Sequence, residues 1–210
     1  AVNGDARRIA RDIAGIIDGR LVVLDDSRNI TRVVVSGLAK ETIVDVSWTP
    51  EDISVDLELR DFGIDAMAIR ISDLNNSGTT TVISPYGGID DIHDGVVRIF
   101  SPEVFAKDPL RLLRGPRLAS QLGFVLSDDT EDAIRSNAHL IAGVSQERIR
   151  DELLKLIEPS GATESLRLLD KLGLLRWIIP ELENARQVGQ PPEHYWDVFD
   201  HSIETVGQVE

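Results

Sequence analysis

Three arginines recur every third residue within the segment 107–124, and an aspartate stands just before them. On an α-helix, Arg111, Arg114 and Arg117 would form a slanting row along one side, beginning beside Asp108. A guanidinium donates paired hydrogen bonds to phosphate or to planar acceptors, and a carboxylate accepts hydrogen bonds from amino groups. This arginine row therefore predicts a site for a ligand with both phosphates and hydrogen-bonding edges, such as a nucleotide.

The neighbouring residues predict the helix that would carry this row. Asp108 suits an N-cap, Pro109 suits the first helical position, and Gly123 suits the end of a helix. The side opposite the arginines carries apolar residues that can face a core: Leu112, Leu113 and Ala119.

Hydrophobic spacing elsewhere predicts a small α/β part followed by a helical part. The first part contains a helix at 6–18, strands at 20–24, 30–35 and 42–47, and a hairpin of 66–71 with 79–84 around a turn at 75–78. From residue 109 onward the pattern is helical, with helices expected at 130–141, 146–157, 163–172, 174–183 and 196–209. The fold class is therefore predicted to be α+β.

Composition limits the possible functions. The 210 residues are 42% hydrophobic and include no cysteine, which excludes disulfides, thiolate zinc sites and cysteine nucleophiles. The sequence shows no signal peptide and no long apolar run, so we expect a cytoplasmic protein with no membrane partner. A formal charge of -14 argues against unspecific coating of nucleic acid but is compatible with a local basic cleft.

Several segments resemble the family of class II tRNA nucleotidyltransferases (CCA-adding enzymes) and bacterial poly(A) polymerases. The resemblance rests first on residues 60–66, Arg-Asp-Phe-Gly-Ile-Asp-Ala, and on residues 107–124. Residues 84–91, 145–153 and 168–175 also look like the family, in the expected order. The resemblance implies a partial polymerase-β-like head with a mixed or antiparallel sheet at 1–104, a helical neck at 105–158, and the start of a helical body or HD-like region at 159–210.

The same resemblance implies an activity and its partners. Such an enzyme transfers a nucleoside monophosphate from CTP or ATP to the 3′ hydroxyl of a tRNA or another RNA, and the complete enzyme uses Mg²⁺. By resemblance, Arg60 and Asp61 would lie against the ribose and phosphates, and Asp108 and Arg111 would recognise the edge of the base. Further nucleotide-binding residues would be Asp65, Arg114 and Arg117. Of these, Arg117 could instead pair with a nearby acidic residue.

The family's glycine-rich loop and Asp-x-Asp metal site have no counterpart in these residues. Asp45, on the strand at 42–47, could be an auxiliary catalytic carboxylate or simply a solvent-facing residue of an alternating strand. We predict no metal site within the chain. We therefore expect a fragment that lacks the start of the catalytic head and is inactive alone.

Four residues depart from the family pattern: Gly63, Asp65, Lys107 and Pro116. The family has an asparagine at the position of Asp65, whose charge would repel phosphates unless a metal ion or an arginine intervenes. Pro116 removes one helical hydrogen bond, so we expect a bend between Arg114 and Arg117.

Two other functions are compatible with the sequence. The first is a nucleotide-binding or RNA-binding homologue that has lost catalysis. The second is a truncated HD-type phosphohydrolase, suggested by His194 and His201, although two histidines cannot complete such a site. The sequence predicts neither the added product nor the oligomeric state.

Overall fold

A computed structural model describes residues 2, 4–27, 29–35, 42–49, 52–74, 80–158, 161–189, 191 and 195–208. The chain forms two compact units, residues 1–59 and residues 60–210. The head, neck and body boundaries at residues 104 and 158, which follow the family resemblance, stay a prediction.

The first unit is a helix packed on an antiparallel sheet. Its elements are helix α1 (Ala6–Ile17), strands β1 (Arg20–Asp25), β2 (Ile30–Val35) and β3 (Thr42–Ser47), and helix α2 (Ile53–Glu58). The strands pair in the order β1-β2-β3. Asp5 caps α1 by accepting a hydrogen bond from the backbone N–H of Arg8 at 3.1 Å. The predicted helix and strands agree with these bounds to within one residue.

Alanines form the buried face of α1. Ala6, Ala10 and Ala14 recur every fourth residue and pack against Val33 and Val46 of the sheet. The isoleucines that mark the apolar pattern are less buried, and Ile16 is 83% exposed. Small side chains allow a helix to approach a sheet closely, so the buried face here is set by residue size.

The second unit is mostly helical, with two small strand pairs. Its strands are β4 (Ala68–Ile69), β5 (Val82–Ile83), β6 (Val96–Val97) and β7 (Val125–Leu126). Its helices are α3 (Ile71–Leu74), α4 (Gly88–Asp94), α5 (Glu103–Lys107), α6 (Arg111–Leu122), α7 (Asp128–Asn137), α8 (Gln146–Ile157), α9 (Ala162–Lys171), α10 (Leu175–Ile178) and α11 (Val198–Gly207). Short 3-10 helices occupy Gly63–Asp65, Ala138–Gly143 and Pro180–Ala185. The predicted α+β class is confirmed.

Some elements of the second unit differ from the predictions. The expected hairpin strands are reduced to the two residue pairs of β4 and β5, and the turn at 75–78 lies outside the described residues. Strand β7 interrupts the expected helical region because it pairs in parallel with β6. The helix expected at 174–183 divides into α10 and a 3-10 helix, since Pro180 has no N–H to continue the ladder.

One hydrophobic cluster holds the second unit together. It extends from Phe62 through the buried face of α6 to Ile203 of α11. Its members from α6 include the residues predicted to face a core, and Leu112 and Leu113 are fully buried. Among the described residues, no helix combines the length and apolar character needed to cross a membrane.

Candidate nucleotide site

The segment before α6 fixes the start of the arginine row. The backbone of Asp108 is extended, and its carboxylate accepts a hydrogen bond from the N–H of Leu110 at 3.3 Å. The carbonyl of Asp108 accepts from the N–H of Arg111 at 3.1 Å. Asp108 therefore closes a tight turn, and the regular helix begins at Arg111, two residues later than expected. Gly123, with φ of 67°, ends the helix as predicted.

A glycine on α6 brings the segment at 60–65 against the helix. Gly115 faces Phe62, and a Cβ at position 115 would lie 3.1 Å from Phe62 Cζ. Phe62 is fully buried. Because Asp61 precedes Phe62 in the chain, this contact places the Asp61 carboxylate next to the arginines of α6. The helix continues through the buried Pro116, and the expected bend at that residue stays a prediction.

Asp61 lies between two guanidiniums. Its Oδ2 atom is 3.0 Å from Nε of Arg114 and 3.8 Å from Nε of Arg111. The side chain of Asp61 is only 5% exposed. Asp65 binds the same arginine, since its Oδ2 atom accepts a hydrogen bond from Nη2 of Arg114 at 2.8 Å. Residues that are about fifty positions apart in the sequence thus form one polar cluster, made of Asp61, Asp65, Arg111 and Arg114.

Burial controls the electrostatics of this polar cluster. Burial raises the pKa of Asp61; Arg114 and Arg111 oppose the shift, Asp65 adds to it, and the net change is upward. Burial acts to lower the pKa of Arg114, but Asp61 and Asp65 outweigh it and the net change is again upward. Arg114 is therefore firmly cationic.

Helix α8 binds Asp108, which precedes α6, and Arg117, which lies in the middle of α6. Nη2 of Arg148 lies 2.8 Å from Oδ2 and 3.1 Å from Oδ1 of Asp108. Glu152 accepts a hydrogen bond from Arg117, and both side chains are largely buried, with 9% and 14% exposure. Arg148 and Glu152 are four residues apart and so lie on one face of α8. Sequence reasoning assigned no role to this pair, although its i,i+4 spacing within residues 145–153 could have revealed it.

A close contact with a buried side chain explains why position 63 is glycine. A Cβ on Gly63 would lie 2.6 Å from Oδ2 of Asp91 and 3.1 Å from the carbonyl oxygen of Tyr86. Asp91 is buried, and its other carboxylate oxygen accepts a hydrogen bond from Nε of Arg98 at 3.0 Å. A larger side chain at position 63 would not fit unless Asp91 moved. Lys107 is simply the exposed last residue of α5.

The remaining predicted residues lie outside the polar cluster. Asp45, in the first unit, stands across the sheet from Arg32 and accepts a hydrogen bond from its Nε atom at 2.7 Å. This bond lowers the pKa of Asp45. Arg60 is exposed beside Asp61. His201 lies on α11, and His194 is outside the described residues.

The carboxylates do not fit a metal centre. No group of three or more histidine, aspartate or glutamate side chains in the described part of the chain could hold a metal ion. Three carboxylates near α6 are instead bound to arginines: Asp61, Asp65 and Asp108. These ion pairs leave the three carboxylates poorly suited to hold a metal ion.

Comparison with known proteins identifies the family. A family model described as the probable RNA and SrmB-binding site of polymerase A matches residues 123–186. The chain is 34% identical over 205 residues to an A-adding tRNA nucleotidyltransferase of Deinococcus radiodurans, covering 95% of this chain and 45% of that protein. It is 40% identical over 127 residues to a CC-adding tRNA nucleotidyltransferase of Halalkalibacterium halodurans, covering 60% and 32%. The chain belongs to the tRNA nucleotidyltransferase and poly(A) polymerase family.

A solved structure supports the same relationship. The Thermotoga maritima CCA-adding enzyme complexed with tRNA matches with a TM-score of 0.73 and 26% identity, covering 90% of this chain and 44% of that enzyme. The chain thus spans less than half the length of the curated relatives it matches. Family membership was predicted from residues 60–66 and 107–124, which contain all four members of the polar cluster.

Proposed function

We propose that this chain is the nucleotide-selecting part of an RNA 3′-end nucleotidyltransferase. The complete enzyme would transfer a nucleoside monophosphate from CTP or ATP to the 3′ hydroxyl of a tRNA or another RNA. One observation carries the proposal: Asp61 lies within ion-pair range of both Arg111 and Arg114, so the two family-like segments meet in one polar cluster beside Asp108. The A-adding and CC-adding relatives support the choice of ATP and CTP.

Asp108 and Arg111 are proposed to select the base. A carboxylate accepts a hydrogen bond from the exocyclic amino group that adenine and cytosine share, whereas it repels the carbonyl oxygen that guanine and uracil present instead. Asp108 is 36% exposed, and Arg148 and Leu110 leave acceptor capacity on its two oxygens. Arg111 can then donate to the ring nitrogen or carbonyl of the same base.

The other arginines proposed to contact the nucleotide differ in their exposure and in their carboxylate partners. Arg60 is exposed and adjacent to Asp61, as a role beside the ribose and phosphates requires. Arg117 is largely buried against Glu152, which supports its structural alternative over a contact with the ligand. Arg114 is 43% exposed but is bound by two carboxylates.

Catalysis would need groups beyond this polar cluster. Relatives of this kind suggest a divalent metal cofactor, and we propose Mg²⁺ held by carboxylates other than Asp61, Asp65 and Asp108. The auxiliary role of Asp45 stays a proposal, in competition with its ion pair to Arg32. We further propose that the chain is inactive alone and acts in the cytoplasm.

Calorimetric titration of the four nucleoside triphosphates tests base selection. ATP and CTP should bind more tightly than GTP and UTP, and Arg111→Ala should weaken ATP binding by about 1–3 kcal/mol. Arg135→Ala is the matched control, because it removes the same charge at a residue that forms ion pairs with Glu131 and Asp132 of its own helix α7. Equal binding of all four nucleotides, or equal effects of both variants, would contradict the proposal.

A non-catalytic RNA-binding homologue is the second candidate. The match of residues 123–186 to a family described by RNA binding favours it, because that match concerns binding and not transfer. The coding sequence upstream of residue 1 separates the two candidates. A glycine-rich loop and an Asp-x-Asp pair would support the enzyme, whereas a start codon immediately before residue 1 would support the binding module. No observation favours the phosphohydrolase.

A further inference from the structure

Asp65 binds the arginine of the polar cluster that is best exposed for contact with a phosphate. Its Oδ2 atom accepts a hydrogen bond from Nη2 of Arg114 at 2.8 Å. Nε of the same guanidinium lies 3.0 Å from Oδ2 of Asp61. The side chain of Arg114 is 43% exposed, compared with 22% for Arg111. Arg114 is therefore reachable from solvent, but two carboxylates already surround its charge.

The charges of the polar cluster sum to zero. Two carboxylates, Asp61 and Asp65, face two guanidiniums, Arg111 and Arg114. A triphosphate that approached Arg114 would also approach Asp65, whose side chain is 26% exposed. Attraction and repulsion at such similar distances nearly cancel, since both follow the same inverse distance law. The polar cluster can still donate and accept hydrogen bonds with uncharged groups.

We propose that Asp65 is a specificity-determining residue that directs this site to the nucleoside part of its ligand and away from the phosphates. The inference deepens the proposed function and rests on it for the identity of the ligand. Arg114 is thereby a positioning residue for Asp61, and the affinity for the triphosphate comes from groups other than Arg114. An asparagine at this position, as in the family, would leave one positive charge in excess.

Asp65→Asn tests this proposal because it removes the charge and keeps an acceptor oxygen for Nη2 of Arg114. Adenosine, ATP and inorganic tripolyphosphate are titrated calorimetrically in the presence of EDTA, so that phosphates meet only protein groups. We expect Asp65→Asn to bind ATP and tripolyphosphate about tenfold more tightly, the size of one added charge-assisted hydrogen bond. Adenosine affinity should not change, and ATP binding should become more sensitive to salt.

Asp170→Asn is the matched control. Asp170 pairs with Arg186, its side chain is 29% exposed, and the substitution changes the net charge by the same amount. This variant should leave the affinities for all three ligands unchanged. If both variants raised tripolyphosphate affinity equally, overall charge rather than Asp65 would be the cause, and the proposal would be wrong.

The outcomes separate this proposal from the proposed function. If the ratio of ATP affinity to adenosine affinity were the same in Asp65→Asn as in the wild type, whether or not both affinities rose, the role of Asp65 would be overturned. Failure of the wild type to bind adenosine or ATP would contradict the proposed function, whereas tripolyphosphate would still report the freed Arg114. If Asp65→Asn did not fold, as judged by circular dichroism, Asp65→Ser would serve for the same comparison.

Discussion

Removing the carboxylate of Glu152 should destabilise the second unit strongly. Glu152 and Arg117 are 9% and 14% exposed, so both charges are largely withdrawn from water. Breaking a buried ion pair by removing one partner costs about 3–5 kcal/mol because the other charge stays buried. Arg117 keeps its hydrogen bond to Gln121, and the Lys155 ammonium at 3.8 Å from Glu152 is well exposed. We therefore expect Glu152→Gln to cost about 3 kcal/mol, the lower end of that range.

Thermal unfolding followed by tryptophan fluorescence measures this loss. A Trp48→Phe background leaves Trp177 and Trp196, which belong to the second unit, as the reporters. For a unit of this size, about 3 kcal/mol corresponds to a fall in Tm of roughly 6–12 °C. Asp151→Asn is the control on the same helix: its pair with Arg150 is exposed, so a change below about 0.5 kcal/mol is expected.

Two results would refute the reasoning about this pair. The first is a Tm of Glu152→Gln that equals that of Asp151→Asn, which would mean that the pair is solvated in solution. The second is a loss of nucleotide affinity in Glu152→Gln at unchanged stability, which would assign Arg117 to the ligand. Replacing both Arg117 and Glu152 by leucine should recover much of the lost stability, because no unpaired charge then remains buried.

Two further predictions concern the two units separately. Because the pKa of Asp45 is lowered, its pair with Arg32 stabilises the first unit at pH values above the ordinary pKa of an aspartate. This contribution is lost as the pH falls through the lowered pKa. Arg32→Gln should therefore remove that part of the acid dependence of unfolding, as followed by circular dichroism. Gly88→Ala should destabilise the second unit by about 1–3 kcal/mol, because its Cβ would lie 2.2 Å from the carbonyl oxygen of Gly63. Gly143→Ala is the control, since a Cβ there would have no atom within 4 Å. Equal midpoints of urea unfolding for the two variants would contradict the close contact at Gly88.

Local patterns predicted elements well where local forces decide them. The strands at 30–35 and 42–47 and the helix at 146–157 have the expected bounds, since β-branched alternation and helical spacing act over neighbouring residues. Strand β7 was missed because a two-residue strand depends on a partner, β6, that lies nearly thirty positions away. The buried alanines of α1 were missed because hydrophobic spacing ranks isoleucine above alanine, whereas close packing favoured the smaller residue.

The sequence predicted which residues belong to the candidate site better than it predicted which of them form ion pairs with each other. Asp61, Asp65, Arg111 and Arg114 were all expected near a nucleotide, and the structure brings them together. The ion pair between Asp65 and Arg114 could not be derived from spacing, because forty-nine residues separate them and Gly115 and Phe62 set their approach. The expectation that a metal ion or an arginine would have to intervene at Asp65 was a chemical one, and Arg114 is placed to do so.

Helix geometry explains why the three arginines of the row have different partners. Successive residues of an α-helix turn by about 100°, so a step of three residues falls about 60° short of a full turn. Arg111 and Arg114 are close enough in direction to share Asp61. Arg117 has turned by about 120° from Arg111 and meets Glu152 of α8 instead. Arg117 is therefore turned away from a ligand held by Asp108 and Arg111, so mutations at Arg111 and Arg117 should separate ligand binding from helix packing.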